Sequence, residues 1–256
     1  MNMFKTNYMP LQISKADIEF LFEMVKGSSY VNGNPDYKKK AKATKIDFDV
    51  SNDIVNAYAN SDEDGREHII CIFNGLCNAT ILMSIGIAKF KQDGNIQQLK
   101  EICRWIGETT VENGSSFTNA FIEEGIDKFG YSTGGNIGIE AKSYTAGAIL
   151  SVIAHEQGHI CLSHTIRGEG GNEVSRNDER QADLFAHSVT ATTPFASHII
   201  LASLFVEILL SWMMEDDDVA TSHPHSRERV YNALNSHDEV LRELGITKDN
   251  IDEFLR

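Results

Sequence analysis

His155, Glu156 and His159 stand in the run His155-Glu-Gln-Gly-His159. On a helix, residues four apart lie about 40° apart around the axis, so both imidazoles point to one side and can bind one ion. Glu156 lies one step round, close enough to act on a water held by that ion without ligating it. The preceding run, Ala146-Gly-Ala-Ile-Leu-Ser-Val-Ile-Ala154, supplies the helix, with Ile149, Ile153 and Ile160 on a shared stripe. The chemistry this predicts is hydrolysis by water activated on one Zn2+ per chain, with Glu156 as general base.

A catalytic zinc needs a third protein ligand and an open position. Downstream, Asp178-Glu179-Arg-Gln-Ala-Asp183 opens a further helical run, and Glu179 and Asp183 share a face. One carboxylate can ligate while the other accepts a hydrogen bond from a ligand imidazole and fixes its tautomer. His164 would fall about 140° round a continuing helix from His159, so it reads as a hydrogen-bonded histidine at the edge of the core. His187 continues the Asp183 face, whereas His68, His198 and His237 have no partner pattern and read as structural or surface residues. A third cluster, Ser222-His-Pro-His-Ser-Arg-Glu-Arg-Val230, places Pro224 in the first turn of a helix. It offers His223 or Arg229 as a donor to the oxyanion of peptide hydrolysis.

The elements that must position these groups read as follows. Ser14 and Asp17 cap a helix running to about Lys26, residues 27–43 read as a loop, and Lys45–Val50 alternates as a strand. Helices are expected over 66–91 and 94–113, one or two strands within 114–140, and helix almost throughout from Thr145. The predicted fold is mainly α with a small β-sheet (α+β): one domain, 1–256, with an N-terminal helical portion over 1–113 and a zinc-peptidase core over 114–236. Residues Ile69–Ala88 form an uncharged run as long as a membrane span, but Asn74 and Asn78 interrupt it and basic residues flank both ends. It reads as a buried core helix, with membrane association as the alternative; the His198–Met214 run contains Glu207 and also reads as core.

The net charge of −14 disfavours nucleic acid and anionic membranes as partners and leaves a protein or peptide substrate open. Cys71, Cys77, Cys103 and Cys161 lack CxxC spacing, which argues against a disulfide framework or a cysteine zinc site. With no secretory pattern in MNMFKTNYMPLQ, the expected compartment is the cytoplasm.

The sequence His155-Glu-Gln-Gly-His159-Ile-Cys-Leu-Ser-His164, then Asp178–Asp183, then His223-Pro and Arg229-Val230 resembles the HtpX-type gluzincin metallopeptidases in order and spacing. Asn119-Ala-Phe121 resembles that group's Asn-Ala-Phe element, and Asn136-Ile137-Gly138-Ile139 its edge strand. Within the group the chain is most similar to the Lit phage-exclusion peptidases, through Glu179-Arg-Gln-Ala-Asp183 and His223-Pro with Glu228-Arg-Val-Tyr231. The resemblance spans roughly residues 119–234. It implies a zinc endopeptidase with Glu179 as third ligand, His223 near the reacting carbonyl, and residues 136–139 pairing with an extended substrate. For Lit relatives it further implies cleavage of a host translation elongation factor in defence against phage. A non-catalytic zinc-binding interaction module and a membrane-embedded quality-control peptidase are the competing readings; a structural site would have no need of Glu156.

Overall fold

A computed structural model describes residues 12–131, 134–166, 172–193, 200, 202–206, 208–209, 226–243 and 247. Helix α1 (Lys15–Gly27) begins as expected: Ser14 Oγ accepts from the Asp17 amide while the Asp17 carboxylate accepts from the Ser14 amide. Residues 27–43, expected as a loop, are two short helices. Ser28 caps α2 (Ser29–Gly33), and Asn34 Oδ1 accepts from the Asp36 and Tyr37 amides to start α3 (Pro35–Ala43), with Pro35 in its first turn. The polar composition hid cap chemistry that satisfies the first-turn amides.

Three strands follow, all within residues 44–73, and among the described residues of 114–140 there is none. Strand β1 (Thr44–Asp49) pairs in parallel with β3 (His68–Phe73), and β2 (Ala57–Ser61) pairs antiparallel on the other side of β3. The 1–113 portion is therefore helix and sheet together, and β2 is an edge.

The apolar run 69–88 splits at its first asparagine. Ile70 and Ile72 are fully buried in the central strand, and helix α4 (Asn74–Asp93) takes the remainder. β-Branched residues paired on both sides give a strand with no helical period. Asn74 Nδ2 donates to Asp53 Oδ1 at the margin of the core, and the buried Asn78 donates through Nδ2 to the Phe117 carbonyl, so both asparagines satisfy neighbouring loops. Among the described residues no helix is long and apolar enough to cross a membrane. The four cysteines are free and buried.

Helices α5 (Ile96–Glu112) and α6 (Asn119–Phe129) pack beside α4. The long helix α7 (Gly135–Cys161) lies at the centre of the molecule, against α4, α1, β2 and α8 (Asn172–Thr190). Asn136, Ile137, Gly138 and Ile139 belong to its first turns and not to an edge strand. Their short alternation is overridden by the buried positions Gly138, Ala141, Thr145 and Ala148, which continue at helical spacing into the histidine motif. Ile139 points outward, 67% exposed. A 3-10 turn at His164–Ile166 follows α7, and the last described helix is α9 (Ser226–Glu243).

The C-terminal end of α7 is fixed by a residue far away in the chain. Lys40 Nζ donates to the Cys161 carbonyl (2.7 Å) and to Ser163 Oγ (2.8 Å), and pairs with Asp36 at 3.0 Å. Carbonyls in a helix's last turn lack intrahelical partners, and a cation suits that end of the dipole. Lys40→Met keeps the aliphatic stem and removes both donations, so it should cost about 1.5–3 kcal/mol in urea unfolding. Lys38→Met, on the same helix, serves as the control and should change stability little.

Candidate metal centre

Helices α7 and α8 approach closely where Gly158 has no side chain. A Cβ built there would lie 3.1 Å from Phe185 Cβ and 3.2 Å from Ala182 Cα. The contact brings the middle of α8 against the histidine motif. His155 Nε2 and His159 Nε2 are 3.0 Å apart; Glu179 lies 3.3 Å from the first through Oε2 and 3.5 Å from the second through Oε1. His155, His159 and Glu179 form a group that could hold a metal ion.

The donor chemistry fits that reading. Asp183 Oδ1 lies 2.9 Å from His155 Nδ1, so its charge favours the ring's proton on that nitrogen and leaves Nε2 as the acceptor. Two imidazole nitrogens and a carboxylate then converge as acceptors, an arrangement that repels itself unless a proton or a cation sits among them. Tetrahedral coordination with metal–nitrogen bonds near 2.0–2.1 Å sets donors roughly 3.3–3.4 Å apart, close to the spacing found.

Electrostatics point the same way. Burial works against a charge on His155, but the carboxylates of Asp183 and Glu179 outweigh it and raise its pKa to about 10. His159 is driven the other way, down to about 3, by its burial and by the charge on His155. The cluster thus favours one positive charge, which a proton supplies in the metal-free chain and which a metal would displace. Burial also opposes ionisation of Asp183, yet Arg229 and then His155 bring its pKa down to about 2.

Arg229 grips Asp183 with two nitrogens, Nε at 3.0 Å and Nη2 at 2.7 Å; Asp183 is buried and Arg229 partly so. One residue earlier, Glu228 accepts from Arg180 at 2.6 and 3.1 Å. Each helix gives one cation and one anion, so α9 is pinned to α8 in a single register. Asp183 thus stands between His155 and Arg229. Arg229 is committed to Asp183 and stands apart from the oxyanion role the sequence also allowed it. His223 lies outside the described residues.

Glu156 borders the cleft but is not among the three converging donors. Burial raises its pKa above the ordinary carboxylate value, and Glu179 adds to the rise; the His155 charge, Arg229 and the Ala59 amide oppose it. The cleft, about 560 Å³, is walled opposite the histidines by Val55, Ala57, Tyr58 and Ala59. Sequence reasoning missed this wall. Ala57-Tyr-Ala-Asn-Ser61 is too polar and short to announce a strand, and its alternating exposure becomes visible only beside β3. The Ala57 and Ser61 amides donate to the side chains of Asn56 and Asn60, so these groups are turned away from the sheet ladder. Residues 136–139 do not line the cleft, nor does Asn119–Phe121, whose Phe121 ring packs on Phe117. His68 is a core residue, bonded through Nδ1 to Ser61 Oγ at 2.7 Å.

Protein purified without chelator should carry one metal ion per chain, and His155→Ala or His159→Ala should abolish stoichiometric metal in elemental analysis. Gly158→Val tests the helix contact: by forcing α8 outward it should lower both thermal stability and metal affinity, although it touches no ligand. Arg229→Leu leaves the Asp183 charge buried without its guanidinium and should cost about 3–5 kcal/mol in denaturant unfolding. No protein-family model, curated protein or solved structure matches the chain, so the meaning of the site rests on its own chemistry.

Proposed function

We propose that the protein is a zinc-dependent endopeptidase acting on a protein substrate. One observation carries the reading: a half-buried glutamate, Glu156, borders the cleft one residue from a ligand and is not part of the donor triad. A metal that only holds structure has no use for such a carboxylate. Zinc is the metal of choice for two imidazoles and one carboxylate; bound there, it supplies Lewis acidity and an activated water near neutral pH.

The protein's own groups divide the remaining work. Glu156, its pKa raised by burial, takes the proton of the attacking water and returns it to the leaving amine. Asp183 orients His155, and Arg229 keeps Asp183 ionised. The outer edge of β2 replaces residues 136–139 as the proposed track for an extended polypeptide, since it lines the cleft and a substrate strand could take over the Ala57 and Ser61 amides from the Asn56 and Asn60 side chains. His223 enters from the sequence pattern alone as the proposed oxyanion donor. The narrower proposal, cleavage of a host protein in defence against phage, likewise rests on the resemblance.

The test compares proteome-wide cleavage products formed by the native chain and by Glu156→Gln. The variant should keep its metal and its fold and lose roughly 100- to 10,000-fold in rate on any true substrate. A Gln variant that cleaves at near native rate refutes the general-base role. His223→Phe should lower kcat about 100- to 1,000-fold with metal retained; lost metal would make His223 a ligand instead.

A further inference from the structure

His159 meets an unusual partner on its far side. His155 is backed by a carboxylate, but the Nδ1 atom of His159 lies 3.1 Å from Nδ1 of His164, with the two rings tilted at 70°. On a continuing helix His164 would sit about 140° away. It is brought back because α7 ends at Cys161 and Ser163 takes a left-handed backbone, φ 66°. A serine in that conformation is strained, so neighbouring contacts must hold it there. Lys40 donates to Ser163 Oγ, and Ser61 Oγ lies 2.5 Å from Thr165 Oγ1. The turn is thus tied on both sides of His164.

Proton positions then follow one from another. If His159 offers Nε2 to the metal, its Nδ1 carries the proton, and His164 Nδ1 must accept it. The His164 proton is left on Nε2, where Asp178 Oδ1 lies 3.5 Å away. That distance is long for a hydrogen bond, so the carboxylate favours this tautomer chiefly through its charge. His164 and Asp178 are both buried, which shields the arrangement from water.

We propose that His164, backed by Asp178, is a positioning residue that fixes the tautomer and ring orientation of His159 and so completes the metal site. The proposal rests on the metal reading of His155, His159 and Glu179. It makes the support of the two ligand histidines asymmetric: a carboxylate held by Arg229 behind one, and an imidazole held by a strained turn behind the other.

The test strips the full chain of metal and titrates it with Co2+, followed by visible absorption, and with Zn2+ against a chromogenic chelator. His164→Leu should weaken binding by 10- to 100-fold and alter the Co2+ spectrum, with the melting temperature of the metal-free chain little changed. His164→Gln, whose amide oxygen can accept the His159 proton, should recover most of the affinity. Native affinity and spectrum in His164→Leu would overturn the proposal and leave the metal site standing. A loss that His164→Gln does not recover, accompanied by a lower melting temperature, would reduce His164 to packing and also overturn it. If the native chain binds no better than His155→Ala, the metal reading falls and this proposal falls with it.

Discussion

The close approach of α7 and α8 is the constraint on which the rest of the molecule depends. His155 and His159 come from one helix and Glu179 from another, and the three donors could share an ion only if those helices lie nearly in contact. Gly158 permits this because nothing stands between the α7 backbone and Phe185 and Ala182. The ion-pair exchange between Arg180, Asp183, Glu228 and Arg229 then fixes α8 along its axis against α9. A shift of one turn would separate Glu179 from both imidazoles and put Asp183 out of reach of His155.

Much of the site was legible in the sequence because it lies within single helices, where spacing fixes direction. The pair His155 and His159, the neighbouring carboxylate Glu156, and the acidic pair Glu179 and Asp183 needed only the helical period and the rules of ligand chemistry. The structure assigns what the spacing left open: Glu179 joins the two Nε2 atoms, and Asp183 stands behind His155 at Nδ1. Arg229 was legible as a participant but not as the partner of Asp183, since no local rule links residues so far apart in the chain.

What the sequence concealed was built by tertiary contact. Strand β2 exists because β3 offers it a partner, and a short polar stretch carries no such information. Residues 136–139 misled in the opposite sense, because four alternating residues satisfy a strand pattern while the longer helical run around them decides the outcome. His164 was placed by extrapolating a helix that in fact ends. The helix turns off at the left-handed Ser163, and the contact that ties this end comes from Lys40, more than a hundred positions earlier, which no local pattern could supply.

The ties that finish the cleft have a consequence for how the chain acquires its shape. Gln157 in the histidine motif reaches Thr44 across 113 positions, Lys40 reaches Cys161 across 121, and Thr165 reaches Ser61 across 104. Contacts of such separation form slowly, since long loops must close before any of them stabilises the chain. On the ribosome, β1, β2 and β3 emerge well before the helix that covers them, and Arg229 emerges later still. The cleft is therefore among the last parts to assemble. In a nascent chain of this design the three converging donors would not be held together until nearly all of its described elements had been made.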